Sequence, residues 1–115
     1  MSDKRRQVKR DTDGPRREFA ERVGCCMDCG EDDGRLQVHE IANGNGREAA
    51  LYHERLQAVL CDACHREWHS KGINPPARQV AKRLLWELRE TVYLLADVRG
   101  DNLVTVEDVL KWLTD

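Results

Sequence analysis

The sequence predicts a small α+β fold in which two short strands and a helix are followed by further helices. Two observations support this fold class. Residues 36–38 alternate in polarity and residues 58–60 are apolar, as in short strands. Residues 62–70 and 77–95 have helical patterns, the second with apolar side chains at mostly three- and four-residue spacing. A chain of 115 residues has room for one domain with flanking segments.

We expect three parts along the chain. They are residues 1–22, a basic and flexible arm; residues 23–73, a central module; and residues 74–115, a C-terminal helical segment. Asn74-Pro75-Pro76 separates the last two parts. Within the arm, residues 1–14 are predicted to be disordered up to a turn at Asp13-Gly14-Pro15, and residues 16–23 to form a short helix.

Smaller features complete the prediction. Residues 43–46 read Asn-Gly-Asn-Gly and predict a loop, after which a partly helical insertion begins at Arg47 and leads into the second strand. Residues 105–108 resemble a capping box and predict a last short helix. Trp86 and Trp112 are expected to pack between helices rather than to stack on bases.

The five cysteines indicate a metal site rather than disulfides. Aromatic residues make up 5% of the chain and charged residues 35%. A small polar chain of this kind usually needs a disulfide or a structural metal to stabilise its fold. Two CxxC pairs are present, Cys26 with Cys29 and Cys61 with Cys64. Thiolates at i and i+3 can face one cation, so the two pairs predict a tetrahedral structural Zn²⁺ site. Cys25 could replace Cys26, but Cys26-x-x-Cys29-Gly30 fits the turn better because glycine relieves backbone strain there.

The histidines form a second candidate set. His65 and His69 are spaced i, i+4, so on a helix both rings lie on one face and can share a cation. His39 ends the first strand and is the natural third ligand. Three histidines with open positions are typical of a catalytic metal site. In the alternative, His69 only caps the helix, and His65 contacts the ligands of the zinc site without binding a metal itself.

The positive charge is uneven although the net charge is −2. The candidate nucleic-acid-binding residues are Arg5, Arg6, Lys9, Arg10, Arg16, Arg17 and Arg47. A basic arm can follow a phosphate backbone. The alternative is a solvated tail for residues 1–22 and a solvated loop residue for Arg47.

Because the sequence has no apolar leader and no apolar run of about 18 residues, we expect a cytoplasmic protein with reduced thiols and no membrane association.

Residues 26–69 resemble the HNH endonuclease superfamily. The resemblance rests on the first CxxCG knuckle, on Val38-His39-Glu40-Ile41, and on Leu60-Cys61-x-x-Cys64-His65 with His69 four residues later. It is closest to the small phage and prophage HNH proteins with two zinc knuckles, which would place the protein in a host cytoplasm. The resemblance implies a zinc-braced ββα-metal (His-Me finger) module followed by C-terminal helices.

The resemblance also implies residue roles. His39 falls at the first metal ligand, His65 near the central polar residue at the start of the helix, and His69 at the further ligand. The implied reaction is hydrolysis of DNA phosphodiester bonds with Mg²⁺, Mn²⁺, Ni²⁺ or Zn²⁺. Glu40 stands where the family has its general-base histidine, so the catalytic candidates are His39 and Glu40. His53 is a substitute base or an exposed loop histidine.

A second functional class stays open at the sequence level. If Glu40 marks lost catalysis, the chain is a non-catalytic zinc module that binds DNA or a protein partner. The amphipathic helix over residues 77–95 also offers a surface for a homodimer through the C-terminal helices.

Overall fold

The computed structural model describes residues 3–41, 47–70 and 72–114. In chain order, the elements are α1 (Asp3–Val23), β1 (Leu36–Glu40), α2 (Arg47–Ala50), a 3₁₀ turn (Glu54–Leu56), β2 (Gln57–Cys61), α3 (Asp62–Trp68), α4 (Pro76–Arg99) and α5 (Val106–Thr114). The chain is therefore a small, mostly helical α+β protein, which confirms the predicted fold class at this level. The loop predicted at residues 43–46 lies outside the described residues.

The two strands form one antiparallel sheet, β1 beside β2. The register places His39 opposite Ala58 and Glu40 opposite Gln57. Because successive side chains of a strand point to opposite faces, Gln37 and His39 lie on one face and Glu40 on the other. α1 and α3 both pack against the strands, and the four residues 57–60 are buried. The sheet is thus in contact with both α1 and α3.

Both predicted strands and the C-terminal helices are present. α3 covers most of the predicted range 62–70, and α4 continues four residues beyond the predicted end at residue 95. The capping box is formed: the Thr105 N–H donates to Asp108 Oδ2 at 2.9 Å, and the Asp108 N–H donates to Thr105 Oγ1 at 3.2 Å. The N–H groups at the start of a helix have no acceptor within the helix, and here the side chains of Thr105 and Asp108 each accept one of them.

The prediction for the N-terminal segment was wrong. α1 runs from Asp3 to Val23 without a break and contains Pro15 inside the helix, so residues 3–14 are not disordered. Thr12 and Phe19 are buried on one side of α1, 2% and 3% exposed. A proline in a helix removes a backbone donor and opposes helix formation locally. Burial of this side against the strands stabilises the helix, and this tertiary contribution cannot be seen in the local turn sequence.

The first compact unit is Met1–Arg83, and its core lies around the sheet. Its buried apolar residues include Phe19, Met27, Ile41, Ala58, Val59, Leu60 and Trp68. Arg83 ends this unit and binds the β2 region: its Nε donates to Gln57 O at 2.7 Å. The contact boundary falls within α4, ten residues later than the boundary predicted between residues 73 and 74.

The second unit, Leu84–Asp115, exposes many apolar side chains. Val98 is 75% exposed, Leu113 71% and Trp112 82%. The expectation that Trp112 packs between helices was therefore wrong.

No helix in the described part of the chain is long and apolar enough to cross a membrane.

Candidate metal centres

The four paired cysteines converge at one point. The Sγ atoms of Cys26, Cys29, Cys61 and Cys64 all lie within 4.8 Å of one another. Cys29 Sγ and Cys61 Sγ are 3.7 Å apart. Two sulfurs at about 2.3 Å from one tetrahedral zinc are separated by about 3.8 Å, whereas a disulfide brings them to about 2 Å. The donor set and its spacing are therefore compatible with structural zinc.

The local backbone explains why each CxxC pair turns both sulfurs inward. The Cys29 N–H donates to Cys26 Sγ at 3.5 Å, and the Cys64 N–H donates to Cys61 Sγ at the same distance. Gly30 adopts φ +83°, a conformation that L side chains rarely adopt, and its N–H donates to Cys26 O at 2.9 Å. Gly30 thus has the role expected from the sequence, and Cys26 rather than Cys25 belongs to the cluster.

The first knuckle is fixed to the rest of the unit by polar contacts. The Met27 N–H donates to Val59 O at 2.8 Å, which joins the knuckle to β2. Asp28 Oδ2 accepts a hydrogen bond from Trp68 Nε1 at 2.8 Å and lies 3.2 Å from Lys82 Nζ. These bonds connect the knuckle to α3 and α4 as well as to the sheet.

The surroundings shift the pKa of two thiols in the cluster in opposite directions. Burial and the neighbouring thiols raise the pKa of Cys64. Burial opposes ionisation of Cys26 too, but hydrogen bonds with the backbone of the knuckles hold its pKa below the ordinary value. A metal bound at such a cluster supplies positive charge that compensates thiolate ligands.

The three histidines form a second cluster. One ring nitrogen from each of His39, His65 and His69 lies within 4.8 Å of the others. His65 Nε2 and His69 Nε2 are 3.0 Å apart. Two nitrogens at about 2.1 Å from a shared ion are separated by about 3.0–3.4 Å, depending on the geometry, so these positions fit a divalent ion. Burial and the adjacent histidines lower the pKa of His65, which favours the neutral form that binds metal.

The three histidines differ in their exposure to solvent. His39 is 1% exposed, His65 is half-buried and His69 is exposed. His65 and His69 line a cleft of about 420 Å³ together with Arg16, Arg35, Gln37, Val38 and Glu40. An anionic group in this cleft would meet two arginines and the accessible edges of two imidazoles. The cleft thus combines two arginines and two imidazoles with the carboxylate of Glu40.

Glu40 forms an ion pair with Arg16 in this cleft. Arg16 Nη2 lies 2.8 Å from Glu40 Oε1 and donates to Val38 O at 3.1 Å. Both side chains are largely shielded, with exposures of 12% for Glu40 and 27% for Arg16. The carboxylate at the expected position of the general base is thus part of an ion pair between β1 and α1.

The other predicted basic residues lie along α1. Arg5, Lys9 and Arg16 line a second cleft of about 550 Å³, which shares Arg16 and Glu40 with the histidine cleft. Asp13 and Glu48 also line it, so its charge is mixed. Arg6, Arg10 and Arg17 are exposed on the same helix. Arg47 begins α2, but its side chain lies outside the described residues.

Several site residues were not predicted from the sequence. Gln37 Oε1 is 2.6 Å from His65 Nδ1, and Gln79 Oε1 is 2.8 Å from His39 Nε2. Gln37 could have been found, since it lies two residues before His39 and so on the same face of the strand. Gln79 is 40 residues from His39, and no local pattern connects them. His53 is exposed before the 3₁₀ turn and does not belong to the histidine cluster.

The comparisons with known proteins identify no relative. No protein-family model, curated protein or solved structure matches the chain. The structure shows that the two CxxC pairs of the sequence come together as a four-cysteine cluster. On these observations, the protein is a small α+β chain with a four-cysteine cluster compatible with zinc.

Proposed function

We propose that the protein is a metal-dependent endonuclease of the HNH type that hydrolyses DNA phosphodiester bonds. One observation carries this proposal: His39, His65 and His69 converge, and His65 and His69 line an open cleft. The cleft contains two arginines and a carboxylate, which are suited to bind a phosphate and to accept a proton. The neighbouring thiolate cluster holds structural Zn²⁺ and leaves the histidines for a working ion.

In this proposal the residues divide the work. When bound, a divalent ion at the histidines stabilises negative charge on the phosphate and on the leaving 3′ oxygen. His65 and His69 would hold the ion from the cleft, with their Nε2 atoms 3.0 Å apart, and the buried His39 would complete the ligand set. Mg²⁺, Mn²⁺, Ni²⁺ and Zn²⁺ are all candidates, since metal availability selects among them as much as affinity does.

Glu40 and Arg16 act as a unit at the reacting phosphate. Arg16 engages Oε1 of Glu40, so Oε2 is the oxygen that accepts a proton from the attacking water. Arg16 also brings a fixed positive charge to the cleft, where it favours an anionic substrate. Removal of Arg16 should therefore weaken substrate binding and disturb Glu40 together.

The test is nicking of supercoiled plasmid DNA by the zinc-loaded chain in Mg²⁺, Mn²⁺, Ni²⁺ or additional Zn²⁺. His69→Ala is the sharpest variant because His69 is exposed and its loss leaves the core intact. We expect the rate to fall by more than the roughly 10–100-fold that loss of an outer-shell partner causes. Glu40→Gln should also abolish turnover while the zinc content stays unchanged.

His53→Ala is the matched control. It removes an exposed histidine outside the cluster and should nick DNA at the wild-type rate. Wild-type protein that is inactive with every metal, or a His69→Ala variant as active as wild type, would overturn the proposed function.

A second function is favoured by one contact, the ion pair of Glu40 with Arg16. If this pair never opens to substrate, the chain is a non-catalytic zinc module that binds DNA through α1. Because α1 is packed against the sheet, charge reversal is a cleaner test than deletion of residues 1–22. Lys9→Glu should then weaken DNA binding and reduce the salt slope by about 1, whereas Arg89→Glu on α4 should not. DNA binding of this kind without cleavage would favour the second function.

A further inference from the structure

Two glutamines contact the histidine cluster, and one of them, Gln37, also lines the cleft. Gln79 comes from α4 and is 1% exposed, and Gln37 comes from β1 and is half-buried. Each places its amide oxygen next to one ring nitrogen, on His39 and His65 respectively. Their remaining hydrogen bonds determine which way each amide faces.

The orientation of Gln79 follows from its other partners. Gln79 Nε2 lies 2.8 Å from Trp68 O and 2.9 Å from Asn74 O. Carbonyl oxygens only accept hydrogen bonds, so both amide hydrogens of Gln79 are used there. Oε1 must then face His39, and an oxygen can only accept at the 2.8 Å contact with Nε2. In its neutral form, His39 therefore carries its hydrogen on Nε2 and the lone pair on Nδ1.

The same reasoning applies to Gln37. Its Nε2 donates to the carboxylate of Asp62, which has no hydrogen to give. Oε1 consequently accepts from His65 Nδ1 at 2.6 Å. His65 is left with its lone pair on Nε2, the atom 3.0 Å from His69 Nε2. The nitrogen that faces the other histidine is thus the one able to bind a cation.

We propose that Gln37 and Gln79 are positioning residues that select the ring tautomers of His65 and His39 for metal binding. This inference rests on the proposed three-histidine ion site. Ligand histidines commonly donate their second N–H to an outer partner, which fixes the ring and tunes its basicity. Here both partners are neutral amides, which donate less electron density through the ring than a carboxylate. The site should therefore bind its ion more weakly than one with carboxylate partners.

A pair of substitutions can test this tuning without changing the net charge. In Gln37→Glu/Asp62→Asn, the amide and the carboxylate exchange places, so His65 Nδ1–H faces a carboxylate oxygen that the new amide supports. In Gln37→Leu, the partner of Nδ1 is lost. Gln37 is the better position to change because it is half-buried, whereas a change at Gln79 also leaves two backbone carbonyls without a donor.

The experiment titrates Co²⁺ into protein that carries one zinc at the thiolates, and follows the visible absorption of cobalt bound to nitrogen ligands. We expect Gln37→Leu to weaken Co²⁺ binding by about 10–100-fold and the exchange variant to bind at least as tightly as wild type. Equal zinc content and melting temperature in all variants exclude a general loss of fold. A Gln37→Leu variant with wild-type affinity would overturn the inference.

Nitrogen NMR of the imidazoles reads the tautomers directly in protein with no ion at the histidines. Wild-type protein should show the hydrogen of His65 on Nδ1 and that of His39 on Nε2, and Gln37→Leu should release only His65 from its tautomer. Observation of the Nε2–H tautomer for His65 in wild type would also refute the inference. By contrast, wild-type protein that binds no second ion would refute the proposed function itself, so the two failures are distinguishable.

Discussion

Replacement of Cys61 by serine should remove a large part of the free energy of unfolding of the first unit, and the size of the loss can be worked out from the structure. Cys61 is the N-cap of α3, and its Sγ accepts the Cys64 N–H at 3.5 Å. Serine is among the preferred N-cap residues, so Cys61→Ser keeps the capping bond. The side chain is only partly buried, so little apolar burial is lost. What the substitution removes is one thiolate of the candidate zinc site.

The magnitude follows from the chain that the metal ties together. Cys29 and Cys61 are 32 positions apart. In the loop-closure model, a cross-link that closes a loop of this size stabilises the folded state by about 3.5–4 kcal/mol. Small domains have a free energy of unfolding of about 5–15 kcal/mol. Loss of the zinc link should therefore lower the melting temperature by roughly 15–30 °C, at about 4–8 °C for each kcal/mol.

The assay combines zinc content by mass spectrometry with thermal unfolding followed by circular dichroism. Cys25→Ser is the matched control, since it makes the same chemical change at a half-buried cysteine outside the cluster. We expect the control to keep one zinc and the wild-type melting temperature, and chelator-treated wild type to match Cys61→Ser. If Cys61→Ser retains zinc and melts with wild type, or if chelation leaves the wild-type transition unchanged, the cluster does not brace the fold.

Three further outcomes follow from the structure. Trp68→Phe should lower the free energy of unfolding by about 1–2 kcal/mol in urea denaturation, because it removes the hydrogen bond to Asp28 and shortens a buried ring. Asp28→Asn keeps an acceptor for Trp68 and loses only the ion pair with Lys82, so it should cost less. The bonds from Thr105 hold the pKa of Asp108 below its ordinary value of 3.8. This capping contribution is therefore complete above that value and is lost as pH falls through the lower folded-state pKa, so α5 helicity in circular dichroism should decline there in wild type and not in Asp108→Asn. If the C-terminal helices form a homodimer, light scattering should show a concentration-dependent dimer that Trp112→Glu, at a residue 82% exposed, abolishes.

The two clusters of candidate metal-binding residues were predictable because their geometry is local. Thiolates three residues apart meet at one point in a knuckle turn, and histidines four residues apart share a helix face. The capping box of α5 is local for the same reason, and both its hydrogen bonds are present. The meeting of the two CxxC pairs needs a longer connection, which the antiparallel pairing of β1 with β2 and the bond from Met27 to Val59 provide.

The course of the N-terminal segment was not predictable from local signals. Asp13-Gly14-Pro15 is typical of a turn, yet it lies within α1. Burial of Thr12 and Phe19 favours the continuous helix, and Arg16 adds its bonds to β1. The same packing gives Arg16 a partner in Glu40, where the sequence had suggested a contact with nucleic acid.

The sequence by itself determined which residues could hold metal, because CxxC and i, i+4 spacings bring donor atoms together through bonds and turns of a few residues. Only the tertiary structure decided what surrounds those donors. Gln79 reaches His39 across 40 residues and Arg16 reaches Glu40 across 24. Such contacts depend on burial and on the packing of whole elements, which no local pattern encodes. The chemistry assigned to this cleft therefore depends on side chains that lie far apart in the chain.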